Sequence, residues 1–144
     1  MKQLQVCAIA LYLMLASSSV WAQTKSYKVI VNPSNPLTSI SYENVSRIFL
    51  KKTTKFPNGR SASPVELPGN SAIREHFSQD VHGKSASAVD AYWKQLIFSG
   101  RDIPPLQKNE SGVLDFVRSN EDAIGYVSAT ADTSRLKVVL VTKF

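Results

Sequence analysis

Seven consecutive residues, Pro68-Gly69-Asn70-Ser71-Ala72-Ile73-Arg74, carry the most informative chemistry in the chain. Val65 and Leu67 read as a short strand ending at Pro68, and Ile73, Phe77 and Val81 recur at helical spacing behind it. A strand therefore passes into a helix through a glycine turn. The first N–H groups of such a helix lack carbonyl partners and the helix dipole is positive there, an arrangement suited to an oxyanion. Gly69 lets a ligand come close to the backbone. Ser71 offers a hydroxyl, and Arg74, one turn into the helix, offers a guanidinium fork that matches phosphate geometry. Gly69, Asn70, Ser71, Ala72 and Arg74 are thus the candidate ligand-binding residues. The same spacing also fits a plainer reading, in which Asn70 or Ser71 caps the helix and Arg74 is solvated. Spacing alone leaves both open.

Other chemistries find little support. The chain contains no Gly-x-Ser-x-Gly, no His-Glu-x-x-His and no glycine-rich phosphate loop. Its two histidines, His76 and His82, are poorly spaced for joint metal ligation on a helix, and its acidic residues form no evident pair. One cysteine, Cys7, excludes a disulfide scaffold and a multi-cysteine metal site. These features predict a non-catalytic protein with no cofactor and no metal.

The elements that would position the junction follow from periodicity. Tyr27–Val31 is a strand rich in β-branched residues, followed by the turn Asn32-Pro33-Ser34-Asn35-Pro36. Ser41 caps a helix whose inner face is Tyr42, Val45, Ile48 and Phe49, with Ile40 and Val45 in staple positions. Residues 51–63 read as a basic loop. After the second helix, Gly83 is a stop. A third helix starts at Ser85 or Ser87, buries Val89, Tyr92, Trp93, Leu96 and Ile97, and ends at Gly100. Trp93 is expected in the core rather than against a ligand. Residues 101–108, with Pro104-Pro105, read as loop, and Ser111 is expected to cap a fourth helix carrying Val113, Leu114 and Val117. Strands at Ala123–Val127 and Leu136–Val141 close the chain. Strands alternating with helices predict one α/β domain with a mixed or mostly parallel sheet.

The N-terminus has a different character. A lone Lys2, an apolar run from Leu4 to Ala16 and a small-residue end at Val20-Trp21-Ala22 make the pattern of a secretory signal peptide, residues 1–22. The run is short for a bilayer-spanning helix of about 20 residues, so no stable membrane insertion is expected after cleavage. The expected mature domain, residues 23–144, keeps 16 basic residues against 11 acidic, a formal charge of +5. In an exported protein this charge points to anionic ligands, envelope lipids or acidic partners rather than nucleic acid, or more simply to a solvated basic surface.

The order of segments has a further meaning. Val29-Ile30-Val31-Asn32, then Asn35-Pro36-Leu37, Ile40-Ser41 and Ile48-Phe49-Leu50-Lys51-Lys52-Thr53-Thr54-Lys55-Phe56, resembles the phosphate-transporter substrate-binding proteins of bacterial periplasms. In that family a strand and an Asn-Pro turn lead to a helix ending Ile-Phe, then Gly-Lys-Ile-Thr-x-Trp. Lys52 and Thr54 match, while Lys51 replaces the glycine and Phe56 the tryptophan. Val65 to Phe77 resembles the family's Val-x-Arg-x-x-Gly-Ser-Gly-Thr segment with its following Phe. Gly112-Val113, Val117 and Ala123-Ile124-Gly125-Tyr126-Val127 resemble its closing Gly-Val … Val … Ala-Ile-Gly-Tyr-Val.

The resemblance covers about residues 27 to 130. It implies a single lobe of the type 2 periplasmic-binding-protein kind, a mixed sheet flanked by about four helices, in a periplasmic protein. It also implies binding of phosphate or a similar oxyanion as part of ABC-transporter traffic. In register, only Ser71 of the family's Arg, Ser, Gly and Thr phosphate ligands is kept: Leu67, Ala72 and Ile73 stand for the others, with Arg74 nearby as a substitute charge. The alternative is a ligand-free interaction module that docks on an envelope sensor or transporter.

Overall fold

A computed structural model describes residues 25–144; the signal-peptide reading of residues 1–22 lies outside the described residues. Six strands form one mixed sheet in the order β2-β6-β1-β5-β3-β4. They are β1 (Tyr27–Val31), β2 (Ser39–Ser41), β3 (Ser63–Glu66), β4 (Leu106–Gln107), β5 (Ala123–Ser128) and β6 (Lys137–Thr142). β1 runs antiparallel to both β5 and β6, whereas β2–β6, β3–β4 and β3–β5 are parallel pairs. The helices are α1 (Tyr42–Phe49), α2 (Ala72–Phe77), α3 (Ala86–Phe98) and α4 (Glu110–Ser119), with a π-helical turn, Ser78–His82, continuing α2. Among the described residues, no helix is long and apolar enough to cross a membrane.

The sheet is covered on both faces because β1 and β5 alternate between two apolar sets. Register pairs Val29 with Tyr126 and Ile30 with Gly125, so these two pairs point to opposite sides. On the Tyr126 side lie α1 and α2: the Phe49 and Phe77 rings both pack on Tyr126. On the Gly125 side lies α4. A Cβ at Gly125 would stand 2.8 Å from Val113 Cγ1 and 3.0 Å from Val65 Cγ1, so helix and sheet touch where the side chain is missing.

Local signals explain most boundaries. Ser41 accepts a hydrogen bond from the Asn44 N–H and caps α1; Ser85 does the same for α3 through Ala88. Gly83 and Gly100 end their helices with φ of 64° and 66°. Lys51 follows α1 with φ of 52°, a left-handed conformation, at the position where the resembling family has glycine. In the Asn-Pro turn, buried Asn32 donates from Nδ2 to the Val117 and Arg118 carbonyls, both at 3.0 Å, satisfying the end of α4.

Four expectations need correction. α4 begins two residues earlier than expected: Asn109, not Ser111, is its cap, its Oδ1 accepting from the Gly112 N–H at 2.8 Å. An Asn side chain competes well for an orphan N–H, and Ser111 then lies inside the helix. The stretch 101–108 is not all loop, because Leu106 and Gln107 pair with Val65 and Glu66 as β4. Ser39–Ser41, for which only the Ile40 staple and the Ser41 cap are expected, also pairs with β6 as β2. Finally, α3 buries Val89 and Trp93 but leaves Ile97 51% exposed. The buried face of α3 extends from Ala86 through Trp93, and its apolar stripe runs on past the edge it covers, leaving Ile97 and Phe98 in solvent.

Candidate functional site

The β3–α2 junction is built as its residues suggest, with one large addition. β3 ends at Glu66, Leu67 is buried, and the Ser71 N–H donates to the Pro68 carbonyl at 3.0 Å, closing the turn. Ser71 is the cap of α2: its Oγ accepts from the Arg74 N–H at 3.3 Å, which leaves its own O–H free to donate elsewhere. Gly69, Asn70 and Ala72 are exposed.

Arg74 is not solvated. It is 2% exposed, in the first turn of α2 on the side facing the sheet. A buried guanidinium requires counter-charge, and two carboxylates supply it. Asp90 of α3 accepts from Nη2 at 2.8 Å, and Glu66 of β3 lies 3.6 Å from the same nitrogen. Nη1 is buried and has no hydrogen-bond partner among the described residues. It lies under the turn: a Cβ on Gly69 would stand 3.2 Å from Arg74 Nη1 and 3.3 Å from Asp90 Oδ2. Gly69 is thus a close-approach glycine, and any side chain there would press on the ion pair.

The three charges differ in their surroundings. Glu66 is enclosed, with its side chain only 3% exposed, and burial pushes its carboxyl up to about 7 against the lowering effect of Arg74. Asp90 has a side chain 42% exposed. Further along, burial lowers His82 to about 4, helped by the positive charges of Arg74, Lys84 and Lys52. Its imidazole is neutral at pH 7, with Nδ1 2.7 Å from Ser46 Oγ. No group of three or more His, Cys, Asp or Glu among the described residues could hold a metal.

The structure brings Gly69 and Arg74 together, sets Ser71 between them as a cap, and leaves Asn70 and Ala72 on the surface. Sequence reading missed Glu66 and Asp90. Glu66 sits between Val65 and Leu67, where strand alternation marks it as the outward, solvated residue; Asp90 sits between Val89 and Ala91 on a helix. Of the loop residues, Thr54 lines a separate groove of about 680 Å³ with Lys51, Ile103, Leu106 and Phe116.

Solved structures share this fold at low sequence identity. A protein from Clostridium perfringens, described as a phosphate ABC transporter substrate-binding protein with bound phosphate, matches with a TM-score of 0.65 and 19% identity over 82% of this chain and 45% of its own. An ABC-type phosphate transport receptor from Vibrio cholerae matches at 0.62 and 18% over 81% of this chain and 46% of its own. PstS from Borrelia burgdorferi matches at 0.56 and 12% over 81% of this chain and 47% of its own. No family model matches the chain, and no curated protein matches it in sequence. The chain spans under half the length of each of these structures, and its mixed sheet with helices on both faces is a periplasmic-binding-protein-like fold, shared with phosphate ABC transporter substrate-binding proteins.

Proposed function

We propose that this chain is an exported, non-catalytic binding protein of one lobe. It takes phosphate or a related oxyanion at the Gly69–Arg74 turn, in the periplasm. The observation that carries this reading is the Arg74 guanidinium held directly beneath Gly69, with its buried Nη1 unpartnered. A buried donor without an acceptor costs on the order of 1–3 kcal/mol, and a ligand oxygen would recover it. The free Ser71 O–H and the N–H groups of Asn70 and Ala72 would supply further donors. Export rests on the signal pattern of residues 1–22; the intact mass of the exported protein tests it, a chain beginning at Gln23 being expected.

A second reading is favoured by one specific observation: Asp90 and Glu66 already meet the Arg74 charge. On that reading the lobe binds no anion and docks on an envelope protein. A thermal-shift series with phosphate, sulfate and chloride at matched ionic strength separates the two. A saturable rise specific to phosphate supports the binding protein. Equal shifts with all three salts leave the docking module.

A further inference from the structure

Resting on the oxyanion reading above, we propose that the Asp90 carboxylate is a built-in competitor for Arg74, and that phosphate enters the site by displacing it. The two carboxylates on Arg74 are not equivalent. Glu66 is enclosed at the end of a β-strand, where leaving the guanidinium would strand it away from water. Asp90 is half-exposed and contributes a single hydrogen bond, Nη2 to Oδ1, rather than a bidentate fork. It can swing into water at little cost, because a charge already partly solvated gives up little on leaving.

Position makes the competition direct. Asp90 Oδ2 and Arg74 Nη1 lie 3.3 and 3.2 Å from one point, the place where a Gly69 side chain would begin. An anion that reaches both the turn and Nη1 must therefore occupy the space beside Asp90 Oδ2. Two anions cannot share that space without strong repulsion. Charge leads to the same conclusion. With Asp90 in place the cluster has no net positive charge to attract an anion; with Asp90 withdrawn, Arg74 keeps only the enclosed Glu66, whose charged form burial disfavours. Asp90 lies in α3, which is also held by buried Ala86, Val89 and Trp93 and by the Tyr92 O–H donating to the Leu50 carbonyl at 3.2 Å. Displacement would remove the ion pair that joins α3 to α2, so amide shifts on α3 would report ligand binding.

The test is titration of inorganic phosphate, followed by calorimetry and by backbone amide NMR shifts, into wild type, Asp90→Asn and Asp90→Ala. Asp90→Asn keeps a neutral acceptor on Arg74 and guards against a misfolded Asp90→Ala. Both variants, folded by their amide spectra, should bind phosphate about tenfold more tightly than wild type, and adding Arg74→Gln should abolish the gain. Shifts in wild type should include residues of α3. Wild-type binding with an equal or weaker affinity in both Asp90 variants would overturn the competitor and leave the oxyanion site standing. Absence of saturable binding in all three proteins would overturn both.

Discussion

Phe77 of α2 and Tyr126 of β5 stack face to face, ring centroids 3.8 Å apart and planes within 9°. Phe49 and Tyr27 close on Phe77 edge-on, at 5.0 and 5.4 Å. This aromatic cluster fixes α2 on the sheet and so sets where Arg74, one turn before Phe77, enters the core. Phe77→Ala should cost roughly 3–5 kcal/mol, as large-to-small core changes do. Chemical denaturation measures it, and the same variant should lose amide dispersion around residues 69–74.

Trp93 is buried at 3% exposure with Val89 and Ala86, apart from the main core, where α3 meets the molecule. Trp93→Ala should also cost roughly 3–5 kcal/mol. An unchanged melting temperature would show that α3 is not held by this residue.

Gly125 has no room for a side chain. A Cβ would meet Val113 at 2.8 Å, Val65 at 3.0 Å and Val117 at 3.2 Å. Gly125→Ala should destabilise by about 1–3 kcal/mol through overpacking, despite lowering the entropy of the unfolded chain. Melting temperature against wild type checks it.

Lys51 gives the opposite sign. It holds φ of 52° and pairs with Asp102 only at 3.9 Å, both side chains being partly exposed. A left-handed conformation costs a residue with a Cβ about 1 kcal/mol, and an exposed ion pair returns little. Lys51→Gly should therefore raise stability by roughly 0.5–1 kcal/mol. For the helix cap, Asn109→Ala should cost about 1 kcal/mol, whereas Ser111→Ala, at an exposed position inside the helix, should leave stability unchanged or raise it by a few tenths of a kcal/mol; denaturation of the two variants resolves the difference.

Glu66 and His82 oppose each other in pH. Glu66 is raised from 4.5 to about 7, so its share of stability is full below pH 4.5 and is lost as pH rises through 7. His82 is lowered from 6.5 to about 4, so its share is full above pH 6.5 and is lost as pH falls through 4. Between about 4.5 and 6.5 the two slopes cancel. Glu66→Gln should unmask a stability that rises with pH across that window, and His82→Gln one that falls. Parallel profiles for the two variants and wild type would show that neither group is buried as described.

What the sequence by itself determined is local. Tyr27–Val31 announces β1 through its β-branched residues, Ser41 and Ser85 announce helix starts, and Gly83 and Gly100 announce helix ends, because propensity, capping and left-handed φ act within a few residues. The Gly69–Arg74 junction was legible for the same reason. The tertiary structure decided the rest. β2 and β4 are too short to show a period and exist only because β6 and β3 offer hydrogen-bonding edges to them. Arg74 and its two carboxylates are eight and sixteen residues apart, on three separate elements. A guanidinium 2% exposed rather than solvated is a consequence of where β3, α2 and α3 meet, and only burial turns a charged side chain into one that must find opposite charge.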